Sequence, residues 1–146
     1  MNISIDDIQK EIIEDFSIFD NWDDKYAYII ECGKKLKPLA PEHKTETNLV
    51  RGCQSQVWLH AEYKDGVVNF YADSDAIIVK GLISLLVRVL SGHTAEHIVK
   101  SDLYFIDKIG MQSHLSMTRS NGLASMLKTM KVKALLFLEQ EKANQL

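Results

Sequence analysis

Cys53 is the residue of this chain best placed to do chemistry. It follows Gly52 in Leu49-Val50-Arg51-Gly52-Cys53-Gln54-Ser55-Gln56-Val57-Trp58-Leu59, where a polar loop passes into an alternating β pattern. Glycine can adopt φ > 0 and has no side chain to shield its neighbour, so a sharp turn at Gly52 would present Cys53 at a tip. Arg51, two residues earlier, could favour the thiolate, which is the form of cysteine that attacks. The other reading is a small buried hydrophobe, the usual fate of a free cysteine. Cys32, the second cysteine, falls in a helical pattern in line with Lys25 and Tyr28 and reads as part of a helix wall.

Several reactions can be tested against the spacing. A cysteine phosphatase needs an arginine six residues after the nucleophile, and Leu59 stands there. A cysteine hydrolase needs a histidine base in contact. His60 lies seven residues on, along an extending strand that carries it away from the tip, while His114 could reach Cys53 through the fold. A stand-alone thiol hydrolase using Cys53 with either histidine is therefore the alternative reading. His93-Thr94-Ala95-Glu96-His97 matches the string of inverted zinc proteases, but Gly92 and Thr94 mark a helix boundary and put His93 outside the helix. Sulfur transfer asks for less: one thiolate attacks the terminal sulfur of another protein's persulfide, as in disulfide exchange, and the product must then be shielded.

The stretch Gly52-Cys53-Gln54-Ser55-Gln56-Val57-Trp58, with Asp73-Ser74-Asp75-Ala76 and Val79-Lys80-Gly81-Leu82-Ile83, resembles the SufE family of sulfur acceptors. Asn21-Trp22, Lys25-Tyr26, Tyr28-Ile29-Ile30-Glu31, Arg119-Ser120 and Gly122-Leu123 extend the likeness, in order, along nearly the whole chain. The resemblance implies an α+β fold, a small antiparallel β-sheet packed by helices, similar to IscU-type cluster scaffolds. It implies a sulfur acceptor that stimulates a cysteine desulfurase of SufS or CsdA type and passes sulfur to an iron-sulfur scaffold of SufBCD type. Cys53 matches the persulfide-carrying cysteine, and pyridoxal phosphate belongs to the desulfurase, so this chain needs no cofactor or metal of its own. Arg119 matches an arginine of the distal motif that helps bind the partner; steadying the start of the last helix is its other role. Arg51, Gln54 and Gln56 surround the tip and are expected at the partner's entrance. IscU-type scaffolds use three cysteines, and the one suitable cysteine here argues against cluster assembly; a metal or cluster carrier remains a second rival.

Composition agrees with a globular protein. The chain has 146 residues, 46% hydrophobic and 25% charged, with a formal net charge of −3, and is expected to fold as a single domain over residues 1–146. The charge and the lack of a basic, aromatic-laced stripe argue against nucleic acid. Ala76 to Leu90 is too short and too often charged to span a bilayer. The N-terminus reads as an acidic amphipathic segment and not a secretory signal. Two cysteines without a CxxC pair exclude a disulfide scaffold within the chain; a cytoplasmic location is the simplest expectation.

The elements that must hold Cys53 follow from periodicity. Ser4 with Asp7 has capping-box spacing before Ile5, Ile8, Ile12 and Phe16. Asp20 or Asn21 caps a second helix with Trp22, Tyr26, Ile29, Ile30 and Gly33 on one stripe, ended by Pro38 and Pro41. Val57, Leu59, Ala61 and Tyr63 form the apolar face of a strand, Asp65-Gly66 turns it, and Val68, Phe70 and Ala72 return. Trp58 falls on the polar face, either flanking a binding surface or covering the sheet beside Tyr71. Ser74 should cap a central buried helix through Leu90, with Ile77, Ile78, Leu82, Leu85, Leu86 and Val89 covering more than one face. Gly81 within it is expected to permit close packing beneath the cysteine loop. Short helical turns follow Thr94 and Leu103, and a long helix from about Thr118 carries Leu123, Met126, Leu127, Met130, Ala134, Phe137 and Leu138. With Val50 beside the tip and an apolar helix beneath it, the Cys53 side chain should turn inward.

Overall fold

The computed structural model describes residues 3–145. Among them the order is α1 (Ile5–Ser17), α2 (Trp22–Lys34), β1 (Val57–Lys64), β2 (Val67–Ser74), α3 (Ile77–Leu90), α4 (Ala95–Lys100), α5 (Phe105–Lys108), α6 (Met111–His114) and α7 (Met117–Ala143). Two 3₁₀ turns, Pro41–His43 and Glu46–Asn48, break up the polar connector before the cysteine loop. The α+β expectation holds, with a two-stranded antiparallel sheet.

Helix starts are set by side chains that accept from otherwise unpaired amides. Ser4 Oγ accepts from Asp7 N at 3.0 Å and opens α1. Asn21, not Asp20, caps α2, its Oδ1 accepting from Asp24 N at 2.8 Å. Ser116 does the same for α7, accepting from Arg119 N at 3.2 Å, so this helix begins just before the expected Thr118. Acidic residues in the first turns of α1 and α2 suit the helix dipole.

The apolar residues of α3 explain its central place. Leu82, Ile83, Leu85, Leu86, Val89 and Leu90 are all buried, each worth roughly 1.5–3 kcal/mol against exposure. The helix packs on α1, α2, β2 and α7. Three sequence expectations fail here. Ser74 does not cap α3, whose N-cap is Ala76; its hydroxyl instead donates to Gln56 O at 2.8 Å while accepting from Ala76 N at 3.2 Å. Gly81 does not lie beneath the cysteine loop. A Cβ there would stand 2.1 Å from Ile29 O, and one at Gly33 would stand 2.7 Å from Gly81 N. The two glycines let the α2 and α3 backbones touch. Ile77, grouped with the buried stripe by its apolar type, is 65% exposed.

Asp65 (φ 54°) and Gly66 (φ 80°) make the tight connection of the hairpin, the backbone that matches strand twist in a two-residue loop. The register runs from Val57 opposite Ser74 to Lys64 opposite Val67. Val57, Leu59, Val68, Phe70 and Ala72 are buried, but Tyr63 at the far end is not. There Tyr63 stacks on Phe137 of α7 and donates to Glu141 at 2.6 Å. Buried Gln9, unnoticed in the sequence, ties α1 to the α5 region: its Nε2 donates to Asp102 O at 3.0 Å and its Oε1 accepts from Phe105 N at 3.1 Å. No helix among the described residues is long and apolar enough to cross a membrane.

Candidate functional site

The cysteine loop is residues 51–56, closed at its base. Val50 N donates to Val57 O at 2.8 Å, and Leu49 bridges Trp58. Gln56 is held by its backbone: its N–H donates to Asp75 Oδ1 at 3.0 Å, and its carbonyl accepts from Ser74 Oγ and from Asp75 N. The last residue of β2 and the one after it thus clamp the end of the loop. Beside them Asp73 gathers Lys44 at 2.9 Å and Lys80 at 3.2 Å. Burial alone would raise its carboxyl pKa, but hydrogen bonds from Lys44, the Ser74 amide and Lys80 hold it below the usual carboxylate range.

Within the loop, Gly52 has φ +93°, and a Cβ there would meet Ser125 Oγ of α7 at 2.4 Å. Only glycine combines this backbone with this approach. The turn directs Cys53 back toward the body, where its thiol donates to Gly122 O, Sγ to oxygen 3.5 Å. Cys53 is half-buried. It opens on a cavity of about 340 Å³ between Gln54 and Ser55 of the loop, Ala76, Ile78 and Val79 at the start of α3, and Ser116, Arg119, Gly122 and Met126 of α7. The inward turn holds, although the helix beneath is α7 together with the first turn of α3.

Burial pushes the Cys53 thiol above its ordinary pKa. The help expected from Arg51 is not realised: no cation contributes to the shift, and Arg51 is exposed on the turn. At neutral pH the thiol is therefore protonated and a poor nucleophile. The structure brings Gln54 and Arg119 to the cavity with Cys53, while Arg51 and Gln56 lie outside its lining. The contribution of Gly122 and Ser125 was not recognised in the sequence. The distal Arg119-Ser120 and Gly122-Leu123 matches point to the segment, but nothing local indicates that Gly122 offers a carbonyl to the thiol.

No histidine lines the cavity among the described residues. His114 stacks on Trp22 at 4.3 Å, and its carbonyl accepts from the Tyr26 hydroxyl. His60 stacks on His43 at 3.7 Å and contacts Glu62 at 3.2 Å. His93 lies outside α4, as the helix boundary required. Donor atoms of His43, His60 and Glu62 all fall within 4.8 Å of one another, a spacing a metal ion could use. The two imidazoles are stacked 12° from parallel, however, so their in-plane lone pairs converge on one ion only if a ring turns. Cys53 takes no part in this group. Cys32 lies in the α2 wall, lining a separate cavity of about 550 Å³ with Tyr28 and Arg88. Burial raises its thiol pKa against the opposing hydrogen bond from Tyr28.

Comparison with known proteins converges on one group. The family model described as "SufE: Fe-S metabolism associated domain" matches residues 10–134. An uncharacterised SufE-like protein of Rhizobium meliloti is 43% identical over 129 residues, covering 85% of this chain and 92% of its own. A second, from Rhizobium etli, is also 43% identical over 129 residues, covering 85% of this chain and 87% of its own. The solution structure of a hypothetical protein from Thermus thermophilus aligns with a TM-score of 0.75 at 23% identity, over 90% of this chain and 96% of that one. At that identity the likeness bears on the fold alone.

Proposed function

The chain belongs to the SufE family, associated with Fe–S metabolism, and on that premise we propose that it is a sulfur carrier whose Cys53 accepts sulfur from a cysteine desulfurase. The donor is of SufS or CsdA type and holds the pyridoxal phosphate; the receiver is an iron-sulfur scaffold of SufBCD type. The carrier does not turn over a substrate alone but stimulates the desulfurase by taking its product sulfur. The observation that carries this reading is the placement of Cys53 on a short loop, clamped at both ends, with its thiol half-buried against Gly122 in a small cavity.

At rest the thiol is neutral and shielded, which suppresses side reactions with cytosolic thiols and oxidants. Docking moves the tip out of the cavity and into water and the partner's site, relieving the burial that opposes ionisation. The Cys53 thiolate then attacks the outer sulfur of the donor's persulfide. A new S–S bond forms on Cys53, the donor's S–S bond breaks, and the donor cysteine leaves as a thiolate. No histidine base is needed beside Cys53, because its proton is lost to solvent or the partner once the tip is out. Arg119 and Gln54 on the cavity rim, with exposed Arg51 and Gln56 nearby, supply polar contacts to the partner's entrance.

Incubation with a cysteine desulfurase, cysteine and pyridoxal phosphate, followed by mass spectrometry, tests this. One added sulfur is expected on Cys53, none on Cys53→Ser, and unchanged uptake on Cys32→Ser. Sulfur that persists on Cys53→Ser and disappears from Cys32→Ser would move the chemistry to the α2 wall. Hydrolysis of an ester or peptide by the chain alone would favour the thiol hydrolase instead.

A further inference from the structure

Resting on the sulfur-carrier reading, we propose that Gly122 is the positioning residue of the loaded state: its missing side chain is the seat for the second sulfur on Cys53. The Cys53 thiol donates toward Gly122 O, so the S–H bond points at this turn of α7. In a persulfide the outer sulfur replaces that hydrogen on Sγ, at a bond length of about 2.05 Å. The carbonyl oxygen, 3.5 Å from Sγ, is too near for the outer sulfur to lie on the direct line, so it must swing to one side of the oxygen. Gly122 is where the floor of the cavity has no side chain to block that swing.

The same geometry separates the two states of the protein. A Cβ built on Gly122 stands 3.5 Å from Cys53 Sγ, in ordinary contact, and meets no other neighbouring group within 4 Å. A methyl there leaves the free thiol and the surrounding packing undisturbed. It fills the space that a sulfur bonded to Sγ on that side would occupy, because non-bonded heavy atoms need about 3.5–4 Å between them. Glycine is also a poor choice for a helix interior, and Gly122 sits in the second turn of α7, where alanine would hold the helix better. A residue that weakens its helix while contacting the reactive sulfur is explained by what it leaves open. Gly122→Ala should therefore produce a protein that melts no lower than the parent and keeps its persulfide less well.

The experiment uses the full chain and loads Cys53 with inorganic polysulfide, so that no partner surface is involved. The thiolate takes one sulfur from the polysulfide, which departs one atom shorter with its charge retained. Glutathione is then added, and its thiolate attacks the outer sulfur, releasing the Cys53 thiolate and glutathione persulfide. Mass spectrometry follows the loss of one sulfur with time. Gly122→Ala is expected to lose its sulfur at least fivefold faster than the parent, or to accept none, with an equal or higher melting temperature. Equal persulfide lifetimes in the two proteins would overturn the role of Gly122 and leave the sulfur-carrier reading standing. A faster loss accompanied by a lower melt would also overturn it, since a disturbed helix would then explain the effect. If the parent forms no persulfide on Cys53 from either polysulfide or a desulfurase, both readings fall together.

Discussion

Burial keeps the Cys53 thiol protonated, and this links reactivity to position. A bulky maleimide should modify folded Cys53 more slowly than the unfolded chain, and faster once a desulfurase is bound; equal rates in all three states would mean that the tip is not shielded. Iodoacetamide, small enough to enter the cavity, should show a rate rising with pH and a midpoint above that of a free cysteine. The shift also bears on stability. Both Cys53 and Cys32 have folded pKa values raised by burial, so their contribution is fully present below the unfolded thiol pKa and is lost as pH rises through the folded values. Arg51 belongs to the same scale. It is exposed and adds nothing to the thiol's ionisation, so Arg51→Glu should change stability by no more than about 0.5 kcal/mol. Sulfur transfer from the desulfurase should slow, by repulsion or lost contact at the entrance. A lower melt with transfer intact would make Arg51 a structural residue.

The elements around the loop act through the clamp at the end of β2. Asp73 holds Lys44 and Lys80 and accepts from the Ser74 amide at 2.8 Å, while Ser74 and Asp75 hold Gln56. Asp73→Asn keeps an acceptor for Ser74 but loses both ion pairs, at a cost of about 1 kcal/mol at pH 7. Because the folded carboxyl pKa is depressed, the contribution of Asp73 is present above the unfolded carboxylate value and lost as pH falls through the folded one. Urea unfolding of parent and variant should therefore differ at pH 7 and converge in acid; a gap independent of pH would rule out the ion pairs as its cause. This scale also shows what could be read from the sequence. Caps at Ser4 and Asn21, the Asp65-Gly66 turn and the buried stripe of α3 from Leu82 to Val89 are local signals, and each is found where the pattern put it. Ser74 was misassigned because its hydroxyl answers Gln56, eighteen residues away, and Gly81 because its neighbour is α2. Such partners are chosen by tertiary packing, which periodicity does not encode. For the same reason Cys53 could be singled out from its loop, and Gly122 O could not be foreseen as its acceptor.

At the scale of the whole molecule, the site is assembled from three distant parts of the chain: the loop, the start of α3 and the start of α7. Two large apolar side chains stand exposed beside it. Ile77 is 65% exposed and Met117 81% exposed, and they neighbour the cavity residues Ala76, Ile78, Ser116 and Thr118. A docking desulfurase would cover both. The double variant Ile77→Asp, Met117→Asp should keep the parent's thermal melt, since neither side chain is in the core, and weaken desulfurase binding by about tenfold or more. Unchanged affinity by calorimetry would place the docking surface elsewhere. The clamped loop sets one further limit, on distance. Cys53 lies three positions after Val50 and three before Gln56, and an extended chain gains at most about 3.6 Å per residue. With both anchors intact, the tip can travel no farther than roughly 10 Å from them. The loop is thus a short leash, and a persulfide lying deeper than its length is out of range even for a partner that binds well. Lengthening the leash with inserted glycines would widen the set of donors within range and loosen the hold on the cargo.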